Sequence, residues 1–235
     1  VSSCSLIREK DLELGSIKIY EKTNQNDHSL LDPQKFEHLS THEQKVIIEV
    51  VQKHRQVFAN QPGLCKVIEH EIKLMPEFKP KQMRPYKIPE LLKQSVKLQI
   101  KQMLETGIIV QSRSEMVSPM VCVLKNSGGV RLAIDYRYVN KYSTGDCFPN
   151  SDIPDTLQRV GKAKYISCFD AKSGYWQIPM KKESQWLTAF VCEEGVFEFT
   201  RMPFGLKSAG NTFIRGMTHI LKNIRDFTQP FVDDV

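Results

Sequence analysis

The 235-residue chain has no apolar run approaching the ~18 residues that suggest a membrane-spanning helix, and its N-terminus carries no secretory apolar core. No membrane partner is expected. Its six cysteines (Cys4, Cys65, Cys122, Cys147, Cys168, Cys192) show no CxxC spacing, which argues against a zinc site and against a disulfide framework. Cys122 and Cys168 fall in apolar, strand-like runs, where cysteine behaves as a small hydrophobe. A reducing, intracellular setting is the expectation. Internal repeats are absent, and so is any Asp-Ser/Thr-Gly protease motif. Neither sign of charge dominates strongly: the net charge is +6, with 26% of residues charged and 40% hydrophobic. That modest basic excess fits a polyanionic partner without requiring one, and the chain is long enough to bury a substantial core.

Local signals place helices and strands in alternation. Residues 1–39 are polar and weakly patterned and read as a linker or poorly ordered N-terminal segment. Ser40-Thr41-His42-Glu43 fits a capping box that opens a helix, stopped by Gln61-Pro62-Gly63. Residues 64–88 look extended and proline-punctuated, so 40–88 reads as a helix and an extended lead-in. A second helix runs from about Pro89 to Thr106, with Leu91, Leu92, Val96, Ile100, Met103 and Leu104 on one face and Gly107 as its cap. Strands are predicted at Ile108–Val110, Met120–Lys125, Val130–Asp135, Lys164–Asp170, Tyr175–Met180, Leu187–Cys192 and Val196–Thr200, with 136–163 left as a loop rich in Asp and Pro. Lys207–Ile224 reads as a helix with Phe213, Met217, Ile220 and Leu221 inward, before a last strand at Gln229–Val232. The mixture defines an α+β class.

The chemistry gathers at two places. Asp170 ends the apolar run Tyr165-Ile166-Ser167-Cys168-Phe169, and 63 residues later Phe231-Val232 runs into Asp233-Asp234. Adjacent carboxylates repel, and burying either one unpaired is costly. A divalent cation removes the problem, and in two-metal phosphoryl-transfer sites the ions stand ~3.5–4 Å apart. Oxygen ligands without nitrogen or sulfur suit Mg²⁺ rather than zinc. Alone, Asp-Asp would read as a solvated turn, and Lys125 and Arg131 as the cations of a solvated hairpin around Ser127-Gly128-Gly129.

Taken in order, Leu104-Glu105-Thr106-Gly107-Ile108-Ile109, Ser118-Pro119, Arg131 with Asp135-Tyr136-Arg137 and Asn140, Phe169-Asp170, Ser173-Gly174-Tyr175-Trp176-Gln177, Thr188-Ala189-Phe190, Met202-Pro203-Phe204-Gly205-Leu206 and Phe231-Val232-Asp233-Asp234 carry a resemblance. Residues 40–235 resemble the reverse transcriptase of Ty3/gypsy-type LTR retrotransposon Pol polyproteins. The resemblance implies right-hand polymerase fingers and palm over 89–235, with an antiparallel palm sheet packed on helices. It implies RNA-directed DNA synthesis with two Mg²⁺ ions, Mn²⁺ as a substitute, a deoxynucleotide substrate and an RNA or DNA template with its primer. A dimer with other Pol subunits and a cytoplasmic particle belong to the same expectation. Asp170 and Asp233 resemble the metal-coordinating pair, with Asp234 as the third acidic member. Lys125 and Arg131 resemble triphosphate contacts, Tyr175 the aromatic beneath the sugar that rejects a 2′-hydroxyl, and Phe204-Gly205 the turn beside the nucleotide. Arg84, Tyr86 and Lys87, a basic segment with an aromatic, suit the template strand.

Departures are visible. Lys125-Asn126-Ser127-Gly128 stands where the family often has two lysines, Ser208-Ala209-Gly210 where Asn-Ala-Pro is common, and Ile214 where a glutamine is frequent. Phe231 replaces a more frequent tyrosine and reads as strand packing. No metal ligand is lost. With no return strand after Asp233-Asp234, the pair is expected on a frayed terminus, in a fragment of Pol or a catalytically silent nucleic-acid-binding relic.

Overall fold

The computed structural model describes residues 4–6, 36–58, 61–124, 130–149, 153–164, 166–231 and 234–235. In chain order the elements are β1 (Cys4–Leu6), α1 (Thr41–Lys53), α2 (Glu90–Glu105), β2 (Ile109–Gln111), β3 (Ser118–Leu124), β4 (Val130–Ile134), α3 (Arg137–Tyr142), α4 (Ile153–Val160), β5 (Ser167–Phe169), α5 (Lys182–Gln185), β6 (Phe190–Cys192), β7 (Gly195–Phe199) and α6 (Ala209–Ile220). They divide into two compact units that interleave along the chain. One combines Val1–Gly63, Ser151–Lys172 and Phe227–Val235; the other combines Leu64–Asn150 and Ser173–Asp226.

The larger unit is a five-stranded sheet, order β2-β7-β6-β3-β4, with α2 against it. Val96, Ile100 and Met103 of α2 bury against Ile109, Met120, Val130, Phe190, Phe197 and Phe199. Each such side chain contributes roughly 1.5–3 kcal/mol by leaving water. The end of α2 is set locally. Gly107 adopts φ +68, its N–H reaches Leu104 O (3.0 Å), and Ile108 N–H reaches Met103 O (2.9 Å). That Schellman closure turns the chain straight into β2.

The sheet is not wholly antiparallel, as the family resemblance suggested. β3 and β6 run parallel through Ser118/Phe190 and Pro119/Val191, while the other three junctions are antiparallel. A long excursion separates β4 from β6, and only such a crossover can bring a strand back parallel to its neighbour. Within that excursion lie two helices, α3 and α4, in the stretch expected as loop. The strand expected at Tyr175–Met180 begins instead as a 3-10 turn over Gly174–Gln177, entered through Ser173 at φ 48. Leu187 likewise lies in a 3-10 turn, so the strand starts at Phe190.

In the smaller unit, the capping box of α1 forms as expected. Ser40 Oγ accepts from Glu43 N (3.4 Å), and Ser40 N donates to Glu43 Oε2 (2.8 Å). Cys4–Leu6, inside the stretch read as a linker, pairs antiparallel with β5. The remainder of 1–35 lies outside the described residues.

Candidate functional site

The carboxylates belong to the smaller unit. β5 carries β1 on one edge and receives the chain terminus on the other. Phe231 and Asp234 exchange both backbone hydrogen bonds, at 2.9 and 3.1 Å, and Phe169 and Val235 do the same at 2.8 and 2.9 Å. Asp170 therefore stands directly opposite Asp234 in an antiparallel bridge. Residues opposed in this way share a sheet face, with Cβ atoms about 4.5–5.5 Å apart. The two carboxylates project together and both residues are exposed. The expectation of a frayed end lacking a return arm is corrected: Asp234 and Val235 are the start of that arm, held by paired backbone bonds to β5. By the same register Phe231 shares the face of Asp234, and it is 38% exposed, so it borders the carboxylates rather than packing under them. The Cys168 thiol approaches Asp234 Oδ1 at 4.0 Å. Asp233 lies outside the described residues.

No group of three or more His, Cys, Asp and Glu that could hold a metal occurs among the described residues. The pair that is described offers oxygen donors only, on one face, in reach of solvent. Such hard, partly hydrated donors fit a small divalent cation that keeps waters.

The larger unit holds the remaining candidates. Tyr175 stacks on Phe204, centroids 4.8 Å apart and planes 14° apart, and leans on Phe213 at 5.4 Å. Phe213 is buried and Phe204 is 45% exposed, so the tyrosine links the core to an open surface. Gly205 follows at φ +93, a conformation that side-chain-bearing residues rarely adopt. Asn140 of α3 clamps this turn. Its Nδ2 donates to Gly205 O and its Oδ1 accepts from Lys207 N, each at 2.8 Å. The sequence showed Asn140 only as a motif position; its partners lie more than sixty residues away, and no local signal could name them.

Arg131 is exposed on β4 opposite Val123, which is also exposed. Lys125 lies outside the described residues. Arg84, Tyr86 and Lys87 are exposed, and Tyr86 Oη donates to Asp135 Oδ2 at 3.2 Å. Arg137 grips the same carboxylate with Nε at 2.8 Å and Nη2 at 2.6 Å. Those guanidinium hydrogen bonds hold the Asp135 carboxyl down to about 2. Tyr86, Lys87, Asp135 and Arg137 together border a cleft of about 520 Å³.

Residues 123–235 match the family described as reverse transcriptase (RNA-dependent DNA polymerase). The chain is 37% identical over 170 residues to the enzymatic polyprotein of Cauliflower mosaic virus (strain Strasbourg), covering 70% of this chain and 25% of that protein. It is 38% identical over 144 residues to the retrovirus-related Pol polyprotein from transposon gypsy of Drosophila melanogaster, covering 58% of this chain and 14% of that one. The chain thus spans about a quarter or less of the curated relatives it matches. The foamy viral protease-reverse transcriptase in complex with RNA/DNA hybrid superposes with a TM-score of 0.80 at 27% identity, over 92% of this chain and 30% of the other. Its dRH form in complex with ds DNA gives 0.80 at 28% identity, over 94% and 39%. The fold is that of polymerase fingers and palm, α+β with helices against a mixed sheet. Enzymes of this family depend on a divalent metal.

Proposed function

We propose that this chain carries the polymerase site of a retrotransposon-type RNA-directed DNA polymerase, joining a deoxynucleotide to a primer 3′-hydroxyl on an RNA or DNA template. The observation that carries this is the Asp170/Asp234 bridge, which sets two carboxylates on one face; Asp233 precedes Asp234 in sequence. Asp170 and Asp233 are assigned as the ligands of two Mg²⁺ ions, with Mn²⁺ able to substitute, and Asp234 as the third carboxylate. Bound there, the cations would lower the pKa of the primer hydroxyl and neutralise the triphosphate.

The chain's own residues orient the substrates. Tyr175, fixed between Phe204 and Phe213, presents a rigid ring that excludes a ribose 2′-hydroxyl. The Phe204-Gly205 turn, pinned by Asn140, lets backbone approach the nucleotide. Lys125 and Arg131 supply charge to the triphosphate, where charge-assisted hydrogen bonds are strongest. Arg84, Tyr86 and Lys87 flank the template. The foamy viral relatives bind RNA/DNA hybrid and ds DNA, which supports a nucleic-acid duplex as the partner here.

Primer extension on an RNA template, with Mg²⁺ and deoxynucleotides, tests the assignment against the Asp233→Asn variant. Extension by the parent that vanishes in the variant is expected. Folded parent protein that extends nothing overturns the proposal and leaves a catalytically silent relative.

A further inference from the structure

Away from the assigned positions, the larger unit carries an aromatic and lysine surface of its own. Phe78 sits among three other rings, Tyr138 at 6.1 Å, Tyr142 at 6.0 Å and Trp186 at 6.1 Å, with Tyr138 and Tyr142 5.1 Å from each other. None of the four is fully buried. Tyr138, Lys141 and Tyr142 lie three and four residues apart on α3, so they share one helix face. Asn140 serves the opposite duty, gripping the Gly205 turn. Tyr138 Oη donates to Lys79 O at 2.9 Å, which ties the extended segment 78–81 along that face.

Two of the lysines here lie over aromatic rings. Lys81 Nζ stands 5.6 Å from the centre of the Tyr138 ring, and Lys141 Nζ stands 5.4 Å from that of Tyr142. Lys79, Lys81 and Lys141 are all exposed, and among the described residues none of them forms an ion pair with a carboxylate. Glu77 and Glu183 are the acidic residues on the adjoining segments, and neither pairs with these three. Cations resting on ring faces keep their charge available to a polyanion, and part-exposed aromatics offer π-faces to bases.

We infer that the Phe78, Tyr138, Tyr142 and Trp186 cluster with Lys79, Lys81 and Lys141 is a sequence-tolerant contact surface for single-stranded nucleic acid. The lysines meet the phosphates and the rings meet unstacked bases. The inference rests on the polymerase reading only in that it supplies the same polyanion; the surface shares no residue with the assigned metal, nucleotide or template positions.

Anisotropy of a fluorescent single-stranded oligonucleotide tests it, with metal chelated and nucleotides omitted, so that catalysis plays no part. The exposed lysines allow a variant that leaves the rings alone, Lys81→Ala with Lys141→Ala. Affinity should fall about tenfold, and the slope of log affinity against log salt should shrink by roughly 1.4, two phosphate contacts at about 0.7 each. Oligonucleotide affinity and salt slope unchanged in the lysine variant, or no binding by the parent, would overturn the inference and assign the cluster to packing. An unchanged lysine variant that still extends primers sinks this surface and keeps the polymerase. A parent that binds through these lysines but extends nothing does the reverse.

Discussion

Tyr175 lies nearly flat on Phe204, 14° from parallel and 4.8 Å away, with Phe213 behind it. A ring held on two sides has little freedom to move aside for an extra hydroxyl, and this is what a steric gate requires. Tyr175→Ala should keep DNA synthesis but raise the efficiency of ribonucleotide incorporation relative to deoxynucleotides. The ratio of the two kcat/KM values measures this; an unchanged ratio in an active variant removes the gate assignment.

Phe213 supports that ring from the core, where it is 4% exposed. Phe213→Ala should cost about 3–5 kcal/mol, the usual penalty for truncating a buried aromatic. Urea unfolding reads this directly. A loss under about 1 kcal/mol, the size of a surface substitution, would mean the residue is not packed as described.

Asn140 holds the Phe204-Gly205 turn through two side-chain hydrogen bonds to backbone. Asn140→Ala should cost about 1–3 kcal/mol of stability for partners left unmade and should raise the KM for deoxynucleotide. Unchanged thermal stability together with unchanged KM would show that the clamp is dispensable.

His70 is fully buried, with Nδ1 2.9 Å from Thr212 Oγ1, and Nε2 finds no protein partner among the described residues. Burial pushes the imidazole down to about 4, against the opposing pull of Asp146 and Glu71. The unfolded chain therefore takes up this proton first. The contribution is fully present above pH ~6.5 and is lost as pH falls from there through 4, by roughly 3 kcal/mol at most. Unfolding free energy followed over that window should decline, and His70→Gln should flatten the decline. Parallel pH profiles for the two proteins would contradict it.

Much of this was legible in the chain because it is local. The Ser40/Glu43 capping box and the Gly107 stop are each written within a few residues, and α2 begins and ends close to expectation, whereas α1 starts at its box but ends at Lys53, well short of Gln61-Pro62-Gly63. Asp170 stood out because a carboxylate ending an apolar strand is a local anomaly. What failed to show was set mostly by distant partners. The parallel β3/β6 junction depends on a long crossover. At Gly174–Gln177 the cause is local instead: Ser173 enters the turn at φ 48, a conformation uncommon for a residue with a side chain. Alternating apolar residues there look the same as a strand. The frayed-end expectation failed on a distant partner: what holds Asp234 and Val235 is β5, more than sixty residues earlier.

The most direct measurement is metal-dependent primer extension by Asp170→Asn beside the parent, with circular dichroism of both in chelator. The parent should extend, and the variant should fall by about 10³-fold or more, the several kcal/mol a bound metal contributes to transition-state charge. Both spectra should remain native-like without metal. Comparable extension by the variant would show that Asp170 holds no catalytic cation, and a fold that collapses in chelator would make the site structural rather than catalytic.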